Sequence, residues 1–442
     1  MTFDELNLNA PLRKAIADLG YSRPTTIQHK AFPVIMSGRD MCGIAQTGTG
    51  KTLAYLMPCL RLWNFTKDRN PQILIIVPTR ELVVQVVDTV KSLAGYTTLR
   101  VVGVFGGVNI NTQRLAVEDG VDILVGTPGR LIDLIYDASF KTKNIKRLVV
   151  DEVDEMLNLG FRTQLKNILD ALPTKRQNLL FSATMIEEVE ELINTFFNAP
   201  ITIEATPVGT PLINIDQQVY HVPNFHTKVN LLRLLLSNDE NMVKVLVFVA
   251  TKKMADEIYE ELEKSFPERV GVIHSNKHQN HRLNTVIAFQ EGRCNFLIAT
   301  DIIARGLDIS EVTHVINFDT PEVPESYIHR IGRTGRADKK GISVTLTTEK
   351  EKEFLGNIEE LMSFQVPVVA LPTDLIISDV LTEDEKPKVK MKTFLVKPPK
   401  KEAVGPAFHP KSAKNSKVNV KVSHKDKMMK KYGKPIKKGA KK

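Results

Sequence analysis

Short, almost wholly apolar runs alternating with longer helical-period segments constrain this chain more than any other feature. Residues 73–77, 101–105, 123–125, 148–150 and 179–181 are runs of this kind, rich in Val, Ile and Leu. Between them, residues 80–93 and 186–197 space their apolar side chains at helical intervals. A strand that is apolar on every side must be buried on both faces, so the alternation predicts parallel sheets covered by helices. The pattern pauses over residues 205–216, which contain Pro207, Gly209 and Pro211. It restarts with residues 245–249, 270–273, 296–298, 315–318 and 343–346. The reading is an α/β chain of two similar units, residues 31–205 and 217–380, joined by a linker over 206–216. No short sequence repeat underlies this repetition.

A length of 442 residues accommodates two or three domains. Hydrophobic content of 42% and charged content of 25% exclude global disorder. No apolar run approaches the roughly 18 residues of a spanning helix. The acidic start, Met1-Thr2-Phe3-Asp4-Glu5, lacks the basic region of a secretory signal. Cys42, Cys59 and Cys294 are too few and too scattered for a disulfide framework or a zinc site. The expectation is a soluble, cytoplasmic protein with no membrane partner. Its net charge of +9 conceals an asymmetry. Residues 386–442 hold 20 Lys, no Arg and only Glu402 and Asp426, giving +18 and leaving the rest of the chain at −9. Residues 381–442 therefore read as a disordered basic arm, a tether for nucleic acid more than a solubility tail.

Ala45-Gln46-Thr47-Gly48-Thr49-Gly50-Lys51-Thr52 lies between a predicted strand and a helical stretch. Glycines let backbone N–H groups converge on phosphate oxygens, and the helix N-terminus adds its positive dipole end. Lys51 supplies a charge for the β- and γ-phosphates, and the Thr52 hydroxyl suits Mg²⁺. Asp151-Glu152-Val153-Asp154 follows the run at 148–150. Carboxylates there face the phosphate loop across the C-terminal edge of a parallel sheet. Asp151 is the expected metal ligand, and Glu152 the group that polarises an attacking water.

At these residues the sequence resembles the DEAD-box ATP-dependent RNA helicases, from about Phe3 to Leu361. It is similar to a bacterial type with a Lys-rich tail. Ala45 is common in that family, and Val153 replaces Ala in its signature. The resemblance implies two tandem RecA-like domains, with ATP and Mg²⁺ as cofactors and RNA as partner. It makes residues 1–30 an adenine-recognition segment. There Gln28 reads the adenine edge, Tyr21 and Arg23 belong to the same segment, and Phe3 stacks on the base. Arg80, Gly107, Thr127 and Arg130 become RNA contacts of the first domain. Ser182 and Thr184 become the couplers of hydrolysis to unwinding, through Asp154.

In the second domain the resemblance implies RNA contacts at Thr251, Arg282 and Thr300, and a ribose contact at Asp308. His329 is expected to bridge to Asp154. Arg333 and Arg336, three residues apart, are expected to reach the γ-phosphate as arginine fingers. The implied function is an RNA-dependent ATPase that opens short duplexes or remodels RNA–protein complexes. Ribosome assembly and RNA decay are the settings the family suggests. A DNA translocase and an ATP-controlled RNA clamp are the competing readings.

Overall fold

The computed structural model describes residues 2–45, 48–205, 214–238, 241–301, 312–335, 340–383, 385–386, 427 and 429–431. Gln46, Thr47, Asp308 and Arg336 lie outside the described residues. The compact body runs from Met1 to Lys386, and Pro387–Lys442 is a separate unit.

The first sheet has seven strands: β1 (Met41–Ile44), β2 (Ile73–Ile76), β3 (Val101–Val104), β4 (Ile123–Gly126), β5 (Arg147–Val150), β6 (Gln177–Ser182) and β7 (Ile201–Glu204). All pairs are parallel, in the order β3-β4-β2-β5-β6-β1-β7. The second has six: β8 (Ile215–His221), β9 (Val245–Val249), β10 (Val270–Ile273), β11 (Phe296–Thr300), β12 (His314–Asn317) and β13 (Gly341–Thr347). These too are parallel, in the order β10-β11-β9-β12-β13-β8.

Strand periodicity explains the two-sided burial. Ile73 and Ile75 enter one apolar layer, whereas Leu74 and Ile76 enter the other. Val245 and Val247 likewise separate from Leu246 and Phe248. The helix Arg80–Leu93 shows how a cover forms. Thr79 caps it by accepting from Leu82 N at 3.3 Å, and Leu82, Val83, Val86, Val87, Val90 and Leu93 form its buried face. No helix among the described residues is long and apolar enough to cross a membrane.

Two boundaries differ from the sequence reading. Ile215 and Asp216, assigned to the linker, already belong to β8, whose residues Asp216 and Gln218 are not buried. An edge strand with one wet face lacks the all-apolar signature used to find the others. Residues 381–386, assigned to the arm, fall within the compact body. Phe225 N donates to Glu385 Oε1 at 2.6 Å, and Ser378 N to Thr227 Oγ1 at 3.0 Å. Ser378 and Glu385 thus strap the second domain through single hydrogen bonds that leave no periodic trace.

Candidate functional site

The strand order places the loops. β5, β6 and β1 are neighbours, so Asp151, Ala183 and Ala45 leave adjacent strands at one edge. β3, β4 and β2 form the other half, and their loops carry Gly107, Thr127 and Arg80. The sheet's C-terminal edge therefore has two divisions.

In the first division Gly50 caps the helix Lys51–Arg61 at φ 86°. A Cβ there would come within 2.3 Å of Gln28 Nε2, so only glycine fits on both counts. Gln28 is buried, with Nε2 donating to Gly50 O at 3.1 Å and Oε1 accepting from Thr25 N at 3.0 Å. The sequence reading gave that amide to adenine. The structure engages both of its ends internally, clamping the phosphate loop and leaving one further donor and one further acceptor. Phe3 is packed in the apolar core, whereas Tyr21 and Arg23 are exposed. Gly48 has the left-handed conformation, at φ 81°.

Lys51 is only 6% exposed, and its Nζ has no hydrogen-bond partner among the described residues; the same holds for Glu152 Oε2. Glu152 adopts φ 53°, ψ 50°, a costly conformation for a side-chain-bearing residue, as it caps the helix Val153–Asn158. Burial pushes its carboxyl up to about 7, against the pull of Lys51 and Arg333. Burial also raises Asp151, opposed by Lys51. The Tyr55 hydroxyl lies beside Asp151 and Thr52. Asp154 moves the other way: burial would raise it, but His329, Lys51 and Thr184 together hold it low.

Asp154 Oδ2 accepts from Ala183 N at 3.1 Å, Thr184 N at 3.0 Å and Thr184 Oγ1 at 2.9 Å. Ser182, expected to share this role, instead donates Oγ to Thr184 O at 2.6 Å. Its side chain is fully buried and braces the turn behind the site.

The second domain closes this division. His329 Nε2 lies 3.8 Å from Asp154 Oδ2, and its Nδ1 contacts Glu155 Oε1. Glu155 was not singled out in the sequence, where it is one more acid in a helix. Arg333 is 5% exposed and shares a small enclosure with Lys51, Glu152, Asp154 and His329. The helix Pro324–Ile331 is held by Arg330, whose Nε and Nη2 reach the two oxygens of Asp301 at 2.6 and 2.7 Å. Its Nη1 donates to Asp319 O at 2.7 Å.

The second division is a cleft of about 820 Å³ lined from both domains. Arg80 lies over Gly107, whose Cβ would sit 2.1 Å from Arg80 Nη1; with φ 83° the position demands glycine. Arg130 and Thr127 line the same cleft. Arg130, however, is buried, with its guanidinium engaged by Gln113 Oε1 and by Val108 O at 3.0 Å. It secures a loop more than it offers a free charge.

Arg282 departs from expectation in the same way. Its Nη2 meets Glu81 Oε1 at 3.1 Å, and Gln279 Nε2 donates to the same oxygen at 3.1 Å. This buried latch joins the domains, and Glu81 was the residue missed. Thr251 caps the helix Lys252–Glu263 and lines a different cavity. Thr300 ends β11, buried. The loop Ser275, Asn276, Lys277 and His278 lines the cleft as well, without having drawn notice in the sequence.

Comparisons with known proteins agree with this arrangement. The DEAD/DEAH box helicase profile matches residues 25–192, and the helicase conserved C-terminal domain profile matches 227–338. RNA helicase CrhR of Synechocystis is 40% identical over 371 residues, covering 84% of this chain and 75% of that protein. DEAD-box ATP-dependent RNA helicase CshA of Geobacillus kaustophilus is 39% identical, covering 84% and 79%. Among solved structures, S. cerevisiae Dbp5 bound to RNA and ADP BeF3 has a TM-score of 0.76 at 30% identity, covering 84% of this chain and 96% of that one. Mss116p bound to ssRNA and AMP-PNP gives 0.78 at 27%, covering 84% and 80%. The chain belongs to the DEAD-box ATP-dependent RNA helicases, with two RecA-like domains in tandem.

Proposed function

We propose that the chain couples ATP hydrolysis to RNA remodelling by joining its two domains around both ligands. The observation that carries this reading is the pair of seams. His329 and Arg333 meet the acids of the first domain on one side, and Arg282 and Gln279 meet Glu81 on the other. Both divisions are complete only when the domains are together.

At the nucleotide side, backbone N–H groups of Gly48, Thr49 and Gly50 cradle phosphates and Lys51 pairs with their charge. Asp151 and Thr52 offer hard oxygen donors beside a buried, under-compensated carboxyl, a set that fits Mg²⁺. Mg²⁺ bound there would neutralise phosphate charge as it develops. Glu152 orients and deprotonates the attacking water, a role that suits a carboxyl raised by burial. Arg333 stabilises the transferring phosphoryl group from the second domain, with Arg336 as its partner. Asp154, Thr184 and His329 sense closure and pass it to the turn after β6. Tyr21, Arg23, Phe3 and the spare valences of Gln28 bound the base, and Asp308 the ribose.

At the RNA side Arg80, Gly107 and Thr127 grip one strand through its backbone, with Thr251 and Thr300 continuing the contact. A strand shaped to both domains leaves a regular duplex, so local opening needs no base reading. Loss of the γ-phosphate removes its tie to Arg333, the seam loosens and RNA leaves. The Lys-rich segment 387–442 tethers RNA nonspecifically. The setting is cytoplasmic, in ribosome assembly or RNA decay.

The test is ATP turnover with single-stranded RNA, with single-stranded DNA and with neither. Strong stimulation by RNA alone is the expected result. Equal stimulation by DNA supports a translocase instead, and RNA binding without turnover supports a clamp.

A further inference from the structure

Opposite the catalytic edge, the N-terminal ends of β1, β5 and β6 open on a cleft of about 1020 Å³. Four cations line it: Arg39 before β1, Lys146 before β5, and Lys175 and Arg176 before β6. None forms an ion pair among the described residues. Lys146 Nζ donates to the neutral Gln72 amide at 3.0 Å. Arg176 Nε donates to Asn178 Oδ1, and its Nη1 to Pro173 O, each at 2.7 Å. Arg39 and Lys175 are exposed.

Asp40 is the only carboxylate in the lining, and its oxygens are engaged by backbone and amide N–H groups. It is buried, accepting from Asn178 N at 2.7 Å, Asn178 Nδ2 at 3.0 Å and Asn198 N at 2.9 Å. Asp40 offsets part of the charge, chiefly at Arg176, and the four cations still leave the cleft net positive on a body whose first 385 residues carry a net −9. Elsewhere the surface cations of this body are commonly paired, as Arg114 is with Asp137 and Arg162 with Glu191.

We infer that this cleft is a second RNA-backbone site, gripping a part of the RNA that lies outside the catalytic cleft. Four cations against one carboxylate, beside a rim that includes Phe196 and Phe197, match phosphodiester oxygens with room for a base or ribose against the rings. The strands separating the two edges are 4 to 6 residues long. At about 3.3 Å per residue the edges are roughly 13–20 Å apart through the sheet, a lower bound on the path around the domain, so only an RNA extending well beyond the catalytic cleft reaches both. Arg176 is preorganised by its two neutral acceptors, while Arg39, Lys146 and Lys175 follow the path of the backbone. The inference rests on RNA being the substrate, as proposed above, but adds an anchor that plays no part in hydrolysis.

The test uses the full chain carrying Arg39→Glu, Lys146→Glu and Lys175→Glu together, and the singles Arg39→Glu and Lys175→Glu, which alter only exposed side chains. RNA-stimulated ATPase is titrated with a single strand of about ten nucleotides, which fills the catalytic cleft alone, and with a longer RNA bearing a hairpin. With the short strand, half-saturation and turnover should match the parent. With the long RNA, the half-saturating concentration should rise on the order of tenfold in the triple variant and less in each single one. The log–log salt slope should fall by about 2, near 0.7 for each phosphate no longer neutralised. Parent-like binding of the long RNA overturns the inference. Equal weakening on both RNAs overturns it too, because the cations would then act through the catalytic cleft. A parent that the short strand fails to stimulate contradicts the proposed function itself and is a separate result.

Discussion

The two divisions of the first domain's catalytic edge are built on opposite terms. Around β1, β5 and β6, Lys51, Asp151 and Asp154 are all more than nine-tenths buried, and Lys51 Nζ and Glu152 Oε2 lack partners among the described residues. Around β2, β3 and β4 the cleft is open, and its buried guanidinium groups are engaged by protein acceptors. Burying charges without partners is costly, so the first division is poised for a ligand that supplies what is missing. In the second the charges are mostly paired within the protein, and of its buried charged atoms only Arg130 Nε and Arg282 Nε lack a hydrogen-bond partner among the described residues. One sheet edge thus carries a small, highly charged enclosure at one end and an open cleft at the other.

The comparison is broken most severely at Arg333. Arg333→Ala should lower RNA-stimulated turnover by about 10³-fold or more, the range for an arginine finger. ATP binding by the first domain's residues should change little, and nucleotide affinity measured beside turnover checks the split. Glu152→Gln should cost about 10²–10⁴-fold in hydrolysis with ATP binding retained, because the amide keeps the shape but cannot take a proton. The complex with RNA and ATP should also live longer, which a dissociation measurement would show. Turnover at the parental rate removes Glu152 from its assigned role.

The RNA-side latch should weigh less. Glu81→Ala leaves the buried Arg282 without its carboxylate. A hydrogen bond to a charged group is worth about 1.5–3 kcal/mol, so RNA-stimulated activity at subsaturating RNA should drop about 10- to 100-fold. Glu81→Ala with Arg282→Ala should do less damage than the sum of the single changes, as a double-mutant cycle would report. Strict additivity would mean that the two side chains do not act together. Smallest is the effect of deleting residues 387–442. Turnover at saturating RNA should hold, while the salt dependence of RNA binding flattens by about 0.7 for each lysine engaged.

Much of this was legible in the sequence because glycine, lysine and acid crowd the ends of apolar strands. Residues 245–249 and 270–273 were placed residue for residue, and five of the first domain's seven strands, β2 to β6, within two residues at either end. The edge strands were harder. β7 alternates between covered and exposed positions, and β8 carries Asp216, Gln217 and Gln218. Partners across space were illegible. Glu81 and Arg282 are 201 positions apart and Glu155 and His329 are 174 apart, so no local pattern links them. Residue type also misleads about direction. Gln28 and Arg130 are the right groups for a ligand, yet each is held by protein acceptors, because a buried amide or guanidinium must find partners within the fold.

The central claim is that ATP and RNA close the same seam, each completing what the other needs. RNA affinity measured with no nucleotide, with ADP and with a nonhydrolysable ATP analogue tests it most directly. The account predicts weak and similar binding in the first two cases and much tighter binding with the analogue. It predicts that Arg333→Ala removes that gain. An affinity that is the same in all three states would contradict it.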